Sequence, residues 1–149
     1  MSTVRTRLIV LVCLAGVAAA CAGPETTQTT RTVVLPPGAT SGATPYSPGI
    51  RVGNIIYVSG QVSGDAGPDI RLQTDAVLKK VQAIVEAAGS SITNVDKCTV
   101  FLTRQADFAA MNEVWYNVFP SNSPARSTII VAALPRPELL IEVECIAHT

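Results

Sequence analysis

Arg126 stands in SPARST, residues 123–128, directly ahead of the apolar run IIVAAL. A full positive charge at the mouth of a strand that reads as buried calls for an anion. That anion is either a ligand or an internal carboxylate in a structural ion pair. A planar guanidinium with parallel N–H donors suits a carboxylate gripped through two hydrogen bonds. Downstream, the alternation in LLIEVECIA sends Ile141, Val143 and Cys145 one way and Glu142, Glu144 and Ile146 the other. The second set mixes carboxylates with an apolar side chain, as on a sheet face that meets water or another subunit. Tyr46, beside Pro45, reads either as a hydroxyl donor or as a packed loop aromatic, and Gly60 in SGQ reads as a strand-end bulge.

Other chemistries find little support. The only histidine, His148, is one residue from the end, and there is no CxxC or Cys/His cluster, so no metal site is expected. The 11 Lys and Arg are scattered and balance 11 Asp and Glu, without a basic stripe or an aromatic platform, which argues against a nucleic-acid partner. Cys98 and Cys145 both lie in apolar strand patterns and read as two buried thiols. An oxidising compartment would permit a bridge, but sequence alone does not fix the strand pairing it needs.

The elements that must position these residues follow from periodicity. RTVVL, residues 31–35, is a short apolar run, and GIRVGNIIYVSGQV is a hairpin with Gly53-Asn54 at its turn. Asp69 caps a long helix in which Ile70, Val77, Val81, Ile84 and Ala88 form one stripe, and Gly89 stops it. VDKCTVFLT, residues 95–103, is β-branched and strand-like. A second helix carries Phe108, Met111, Trp115 and Val118 on one side as core and ends at Pro120. STIIVAAL and LLIEVECIA are two further strands joined by PRPE. The expected order is β-β-α-β-α-β-β, an α+β sandwich with two helices on one face of a mixed sheet.

The N-terminus reads as a targeting segment. Arg5 and Arg7 precede a 13-residue apolar stretch, Leu8 to Ala20, too short to span a bilayer but suited to an export leader. GVAAAC resembles the lipobox of bacterial lipoproteins, which makes residues 1–20 a signal peptide and Cys21 the lipidated N-terminus. The polar, Thr-rich residues 21–30 are a flexible tether, and 31–149 is the folded domain. The expected location is the cell envelope, anchored through lipid and facing away from the cytoplasm, with a soluble secreted or periplasmic form as the alternative.

Seven segments taken together resemble the RidA (YjgF) family of imine and enamine deaminases: PYSPGIRVGN, YVSGQV, EAAGSS, VFLT, DFAAMNEVW, PARST and IEVECIA. They occur in the family's order over residues 45–149, and RTVVL fits its first strand. The resemblance implies a chorismate-mutase-like fold and a homotrimer with a central barrel and ligand clefts between subunits. It implies cofactor-free hydrolysis of small 2-imino acids, of the 2-iminopropanoate and 2-iminobutanoate type, to 2-oxo acids and ammonia.

Carried onto this sequence, the resemblance makes Arg126 the carboxylate-binding arginine. Glu142 becomes the group that orients or deprotonates water, and Tyr46 a hydroxyl donor near the substrate. Gly60 offers a backbone N–H to the carboxylate. Thr128 replaces a frequent cysteine that acts through its backbone carbonyl, and Ser59 and Asn112 support the site. The loop 61–69 is shorter than is usual in the family, and the leader is atypical. An alternative that keeps the same clefts is a surface-anchored trimeric protein that binds small carboxylates without turnover.

Overall fold

The computed structural model describes residues 29–42 and 44–149. The expected leader, Cys21 and the tether apart from Thr29 and Thr30 lie outside the described residues. Strands β1 (Arg31–Val34), β2 (Gly49–Val52) and β3 (Ile55–Gln61) precede helix α1 (Ile70–Ala87). Strand β4 (Val95–Leu102), helix α2 (Phe108–Val118), β5 (Ala125–Ile130) and β6 (Ile141–His148) follow. This is one strand more than the expected order, because RTVV pairs with β2 as a strand of the same sheet.

The local reasons are those legible in the chain. Gly53 turns the β2–β3 hairpin with φ of +61°, a conformation that costs glycine little. Asp69 accepts from the Arg71 N–H at 2.7 Å to open α1. Gly89, at φ +85°, closes it: its N–H reaches Glu86 O at 2.9 Å and the Ser90 N–H reaches Val85 O at 3.1 Å. The C-terminal carbonyl of Ala88 also takes a hydrogen bond from Arg51, at 3.1 Å.

The six strands run in the order β1-β2-β3-β6-β4-β5, antiparallel except for β4 and β5. The last two strands of the chain are therefore not neighbours. β6 inserts between β3 and β4, and β5 lies on the far edge, parallel to β4 and joined to it through α2. β5 also begins earlier and ends sooner than STIIVAAL, at Ala125 and Ile130, because pairing with Lys97–Leu102 sets its limits. Both helices cover one face of the sheet. Ile56, Val58, Val100, Leu102, Ile141 and Val143 bury themselves there against Val77, Val81, Ile84, Met111 and Trp115. On the other face Tyr57, Glu144 and Ile146 are exposed, as the alternation of LLIEVECIA requires. Phe108, expected in the core stripe, is 43% exposed, while Met111 and Trp115 are buried.

Cys98 and Cys145 are not two separate thiols. The antiparallel register places them directly opposite each other on the core face, Cα atoms 4.1 Å apart, and they are joined by a disulfide. This corrects the buried-thiol expectation. The missing information was the insertion of β6 beside β4, a pairing across 47 residues.

Candidate functional site

Arg126 lies on β5 opposite Cys98, so its side chain takes the helix side of the sheet. There it crosses α2. One Nη donates to Asn112 Oδ1 at 2.7 Å, and the guanidinium carbon sits 4.7 Å from the centre of the Trp115 ring. Phe108 lies further off, at 6.0 Å. The aromatic face favours the cation and holds its plane, and burial lowers the guanidinium pKa below its ordinary value, though arginine stays charged. No carboxylate pairs with Arg126 among the described residues. A small cavity of about 210 Å³ opens beside it, lined by Asn112, Tyr116, Ser123 and Pro124. Two residues along the strand, Thr128 lines a separate apolar hollow with Phe108 and Ile130, and its buried Oγ1 has no hydrogen-bond partner.

Glu142 lies elsewhere. It alternates with the buried Ile141 and Val143, so it points to the open face, into a cleft of about 500 Å³ shared with Tyr46, Ser59 and Gly60. The pairing of β3 and β6 shifts between Val58 and Gln61, and the Glu142 side chain lies directly over Gly60 at this irregularity. A Cβ on residue 60 would come within 2.8 Å of Glu142 Cδ, so only glycine leaves the carboxyl its position. Burial first, and the neighbouring Glu144 second, raise the Glu142 pKa above the ordinary carboxylate range. Ser59 anchors the chain entering this cleft, its N–H and hydroxyl both donating to Pro48 O at 3.0 and 2.9 Å. Gln61 in turn donates to Ser59 O at 2.9 Å. Tyr46 is 60% exposed at the rim.

The predicted site residues thus fall into two groups on opposite faces of one protomer. Tyr46, Ser59, Gly60 and Glu142 converge in one cleft, while Arg126 and Asn112 converge at the β5 edge with Thr128 nearby. Register gives the separation: Glu142 pairs with Phe101, Phe101 with Ile129, and Arg126 is three residues further along β5. Two strand spacings and three residues of rise put the Cα atoms about 14 Å apart. A four-carbon acid spans about 5 Å and cannot touch both groups of a single copy.

A family model described as endoribonuclease L-PSP matches residues 38–149. The chain belongs to this family. A RutC family protein of Pyrococcus abyssi is 44% identical over 110 residues, which cover 70% of this chain and 86% of that relative. Among solved structures, RidA from an Antarctic Psychrobacter bacterium is 34% identical with a TM-score of 0.72, covering 79% of this chain and 99% of the other. A YjgF/YER057c/UK114 family member from Mycobacterium tuberculosis is 28% identical at a TM-score of 0.72, covering 80% and 100%. The RidA (YjgF) resemblance of the sequence segments therefore holds. The six-stranded mixed sheet with two helices is the family's α+β, chorismate-mutase-like fold.

Two residues in or beneath the Glu142 cleft escaped the sequence reading. Gln73 is fully buried in α1 and bridges the loops around the cleft. Its amide donates to Gly67 O at 2.7 Å and Glu138 O at 2.8 Å, and it accepts from the Leu140 N–H at 2.9 Å. A glutamine on the apolar stripe of α1 was the available signal. Arg136 lines the cleft itself, between Pro135 and Pro137. PRPE read as a turn, and the cation it carries at its tip went unused. Among the described residues, no three His, Cys, Asp or Glu side chains gather as a metal site would need.

Proposed function

We propose that the chain is a hydrolytic deaminase of small 2-imino acids, acting as a homotrimer in which the Arg126 group of one copy faces the Glu142 cleft of the next. The observation that carries this reading is the complementarity of the two half-sites. One offers a partly buried guanidinium that pairs with no carboxylate among the described residues, and the other a carboxyl of raised pKa over a glycine backbone. The apolar side chains exposed on β5 and on the open face, Ile129, Ile130, Tyr57 and Ile146, support an assembly that covers them.

In this reading Arg126 grips the substrate carboxylate, with Asn112 and Trp115 fixing the plane of the guanidinium. Orientation of this kind can supply a large part of an acceleration. Ionised Glu142 takes a proton from a water whose oxygen attacks the C=N carbon, while the imine nitrogen gains a proton, from the Tyr46 hydroxyl or solvent. The resulting carbinolamine loses ammonia after Glu142 returns its proton to the nitrogen. The hydroxyl collapses to the carbonyl of the 2-oxo acid as its proton goes back to the Tyr46 oxygen or to solvent, whichever supplied the first. Each proton is accounted for, and no electron acceptor enters. Gly60 N–H, Ser59 and the backbone at Thr128 complete the polar lining.

We also propose export as a lipoprotein, with residues 1–20 removed, Cys21 lipidated and residues up to 30 as tether. The Cys98–Cys145 bridge supports this, since such bonds persist in oxidising compartments. Export also favours a second reading, a surface trimer that binds small carboxylates without turnover, because free 2-imino acids hydrolyse in water unaided. The deciding experiment generates 2-iminopropanoate with an amino-acid oxidase and follows its decay with purified protein and with Arg126→Ala. Acceleration lost in the variant supports the deaminase. Decay no faster than buffer, with 2-oxo acid binding seen by calorimetry, selects the binding protein.

A further inference from the structure

The Glu142 cleft has a cation of its own that neither the water-activating step nor Arg126 accounts for. Arg136 is carried on a loop stiffened by prolines on both sides and by a turn in which the Leu139 N–H donates to Arg136 O at 3.2 Å. Its Nε meets Glu138 Oε1 at 3.3 Å, with both side chains about half exposed, a pairing of the weak surface kind. Among the described residues its two Nη groups make no hydrogen bond. The other acidic group in its field, Asp65, is held by Ser63 at 2.9 Å and lies 3.9 Å from Lys80. Beyond what the mechanism needs, then, the cleft that Glu142 lines is also lined by a guanidinium whose Nη donors make no hydrogen bond among the described residues.

Within this cleft an anionic group entering beside Glu142 would be repelled by it, unless a positive charge offsets the repulsion. A substrate with one carboxylate, spent on Arg126, brings no second anion and gains nothing from Arg136. We infer that the site selects dicarboxylic 2-imino or 2-oxo acids, with the distal carboxylate bound by Arg136. This rests on the reading of the Glu142 cleft as the reacting half of the site, and it names the substrate class of that half. The cavity of about 500 Å³ is ample for a five-carbon diacid.

Calorimetry with stable product analogues tests the inference without needing turnover. The purified protein should bind 2-oxoglutarate about tenfold more tightly than 2-oxobutanoate, the effect of one charge-assisted contact at a half-exposed site. Arg136→Gln should collapse this ratio to about one, and Arg136→Lys, which keeps the charge and loses the fork, should retain part of it. Equal affinities in the unaltered protein, no binding of either acid, a ratio that survives Arg136→Gln, or an equal loss of both ligands would each overturn it. The two readings separate cleanly. A diacid preference without imine hydrolysis removes the deaminase and leaves this inference standing, whereas hydrolysis with a flat ratio does the reverse.

Discussion

If Arg126 and Glu142 act on one small molecule, they must come from different copies, because in each copy they face opposite sides of the sheet about 14 Å apart. Two inactive variants should therefore complement each other. Arg126→Ala retains a sound Glu142 cleft, and Glu142→Gln retains a sound Arg126 edge. In a random 1:1 mixed assembly, a given interface site has both sound groups only when its Arg126 side comes from one variant and its Glu142 side from the other. Each condition is met half the time, so about one quarter of the sites are whole, whatever the number of subunits in a closed ring.

The assay unfolds the two purified variants together in denaturant, without reductant so that the Cys98–Cys145 bridge survives, and refolds them by dilution. Imine decay is then compared with wild type refolded in the same way. Each variant refolded alone should show under about 1% of wild-type activity, given the 10²-fold or larger effect of losing a positioned base or carboxylate anchor. The mixture should recover about 25%. A mixture as inactive as its components, beside fully recovered wild type, would refute the shared site. So would a variant that stays active alone, since neither group would then be needed.

Three further outcomes follow from single contacts. Gly60→Ala should lower kcat/KM about 100-fold or more, by displacing the Glu142 carboxyl, and thermal unfolding should show the fold retained, because the strained atoms are at the end of a side chain on the open face. If ionised Glu142 is the proton acceptor as proposed, its raised pKa should place the acid limb of kcat/KM above the ordinary glutamate range, and Glu142→Gln should abolish it. The sign for stability is the opposite one. A carboxyl with a raised folded pKa is better tolerated when protonated, so this group favours the fold as pH drops and cannot cause the loss of rate through unfolding. Reducing the Cys98–Cys145 bridge, which closes a loop of 47 residues, should cost about 4 kcal/mol on the loop-entropy estimate. For about 120 structured residues that lowers Tm by about 16 °C at fixed protein concentration. Coincident melts of oxidised and reduced protein, or alkylation of Cys98 and Cys145 themselves in the unreduced chain, would contradict it.

Much of the fold was legible because it rests on neighbouring residues. Asp69 and Gly89 bound α1, Gly53 turns the hairpin, and the alternation of Ile141, Val143 and Cys145 assigns the faces of β6. What local pattern could not supply was pairing across long separations. No residue in LLIEVECIA says that it will lie between β3 and β4 rather than beside β5, and the bridge and the split of the site both follow from that insertion. The site shows the same division. Arg126, Glu142, Tyr46 and Gly60 were found as residue types in matching segments, but their division into two groups depends on which face each strand presents. Arg136 and Gln73 were hidden for another reason. One sat in a stretch whose prolines already explained it as a turn, and the other on a stripe whose apolar residues already explained it as core.

The disulfide bears on the chemistry as well as on stability. Cys98 is opposite Arg126 in the β4–β5 register, and Cys145 is three residues from Glu142 on β6. The bridge therefore ties the strand that sets the height of Arg126 to the strand that bears Glu142. A slip of one residue between β4 and β6 would turn every side chain of the slipped strand to the other face, and it would carry Glu142 off Gly60. If the site is shared between copies as proposed, such a slip would do double harm, since each protomer would contribute one half to each of two neighbouring sites. A covalent cross-strand link at this position removes that freedom without occupying either cleft. It is best suited to a compartment where the bond, once made, stays made.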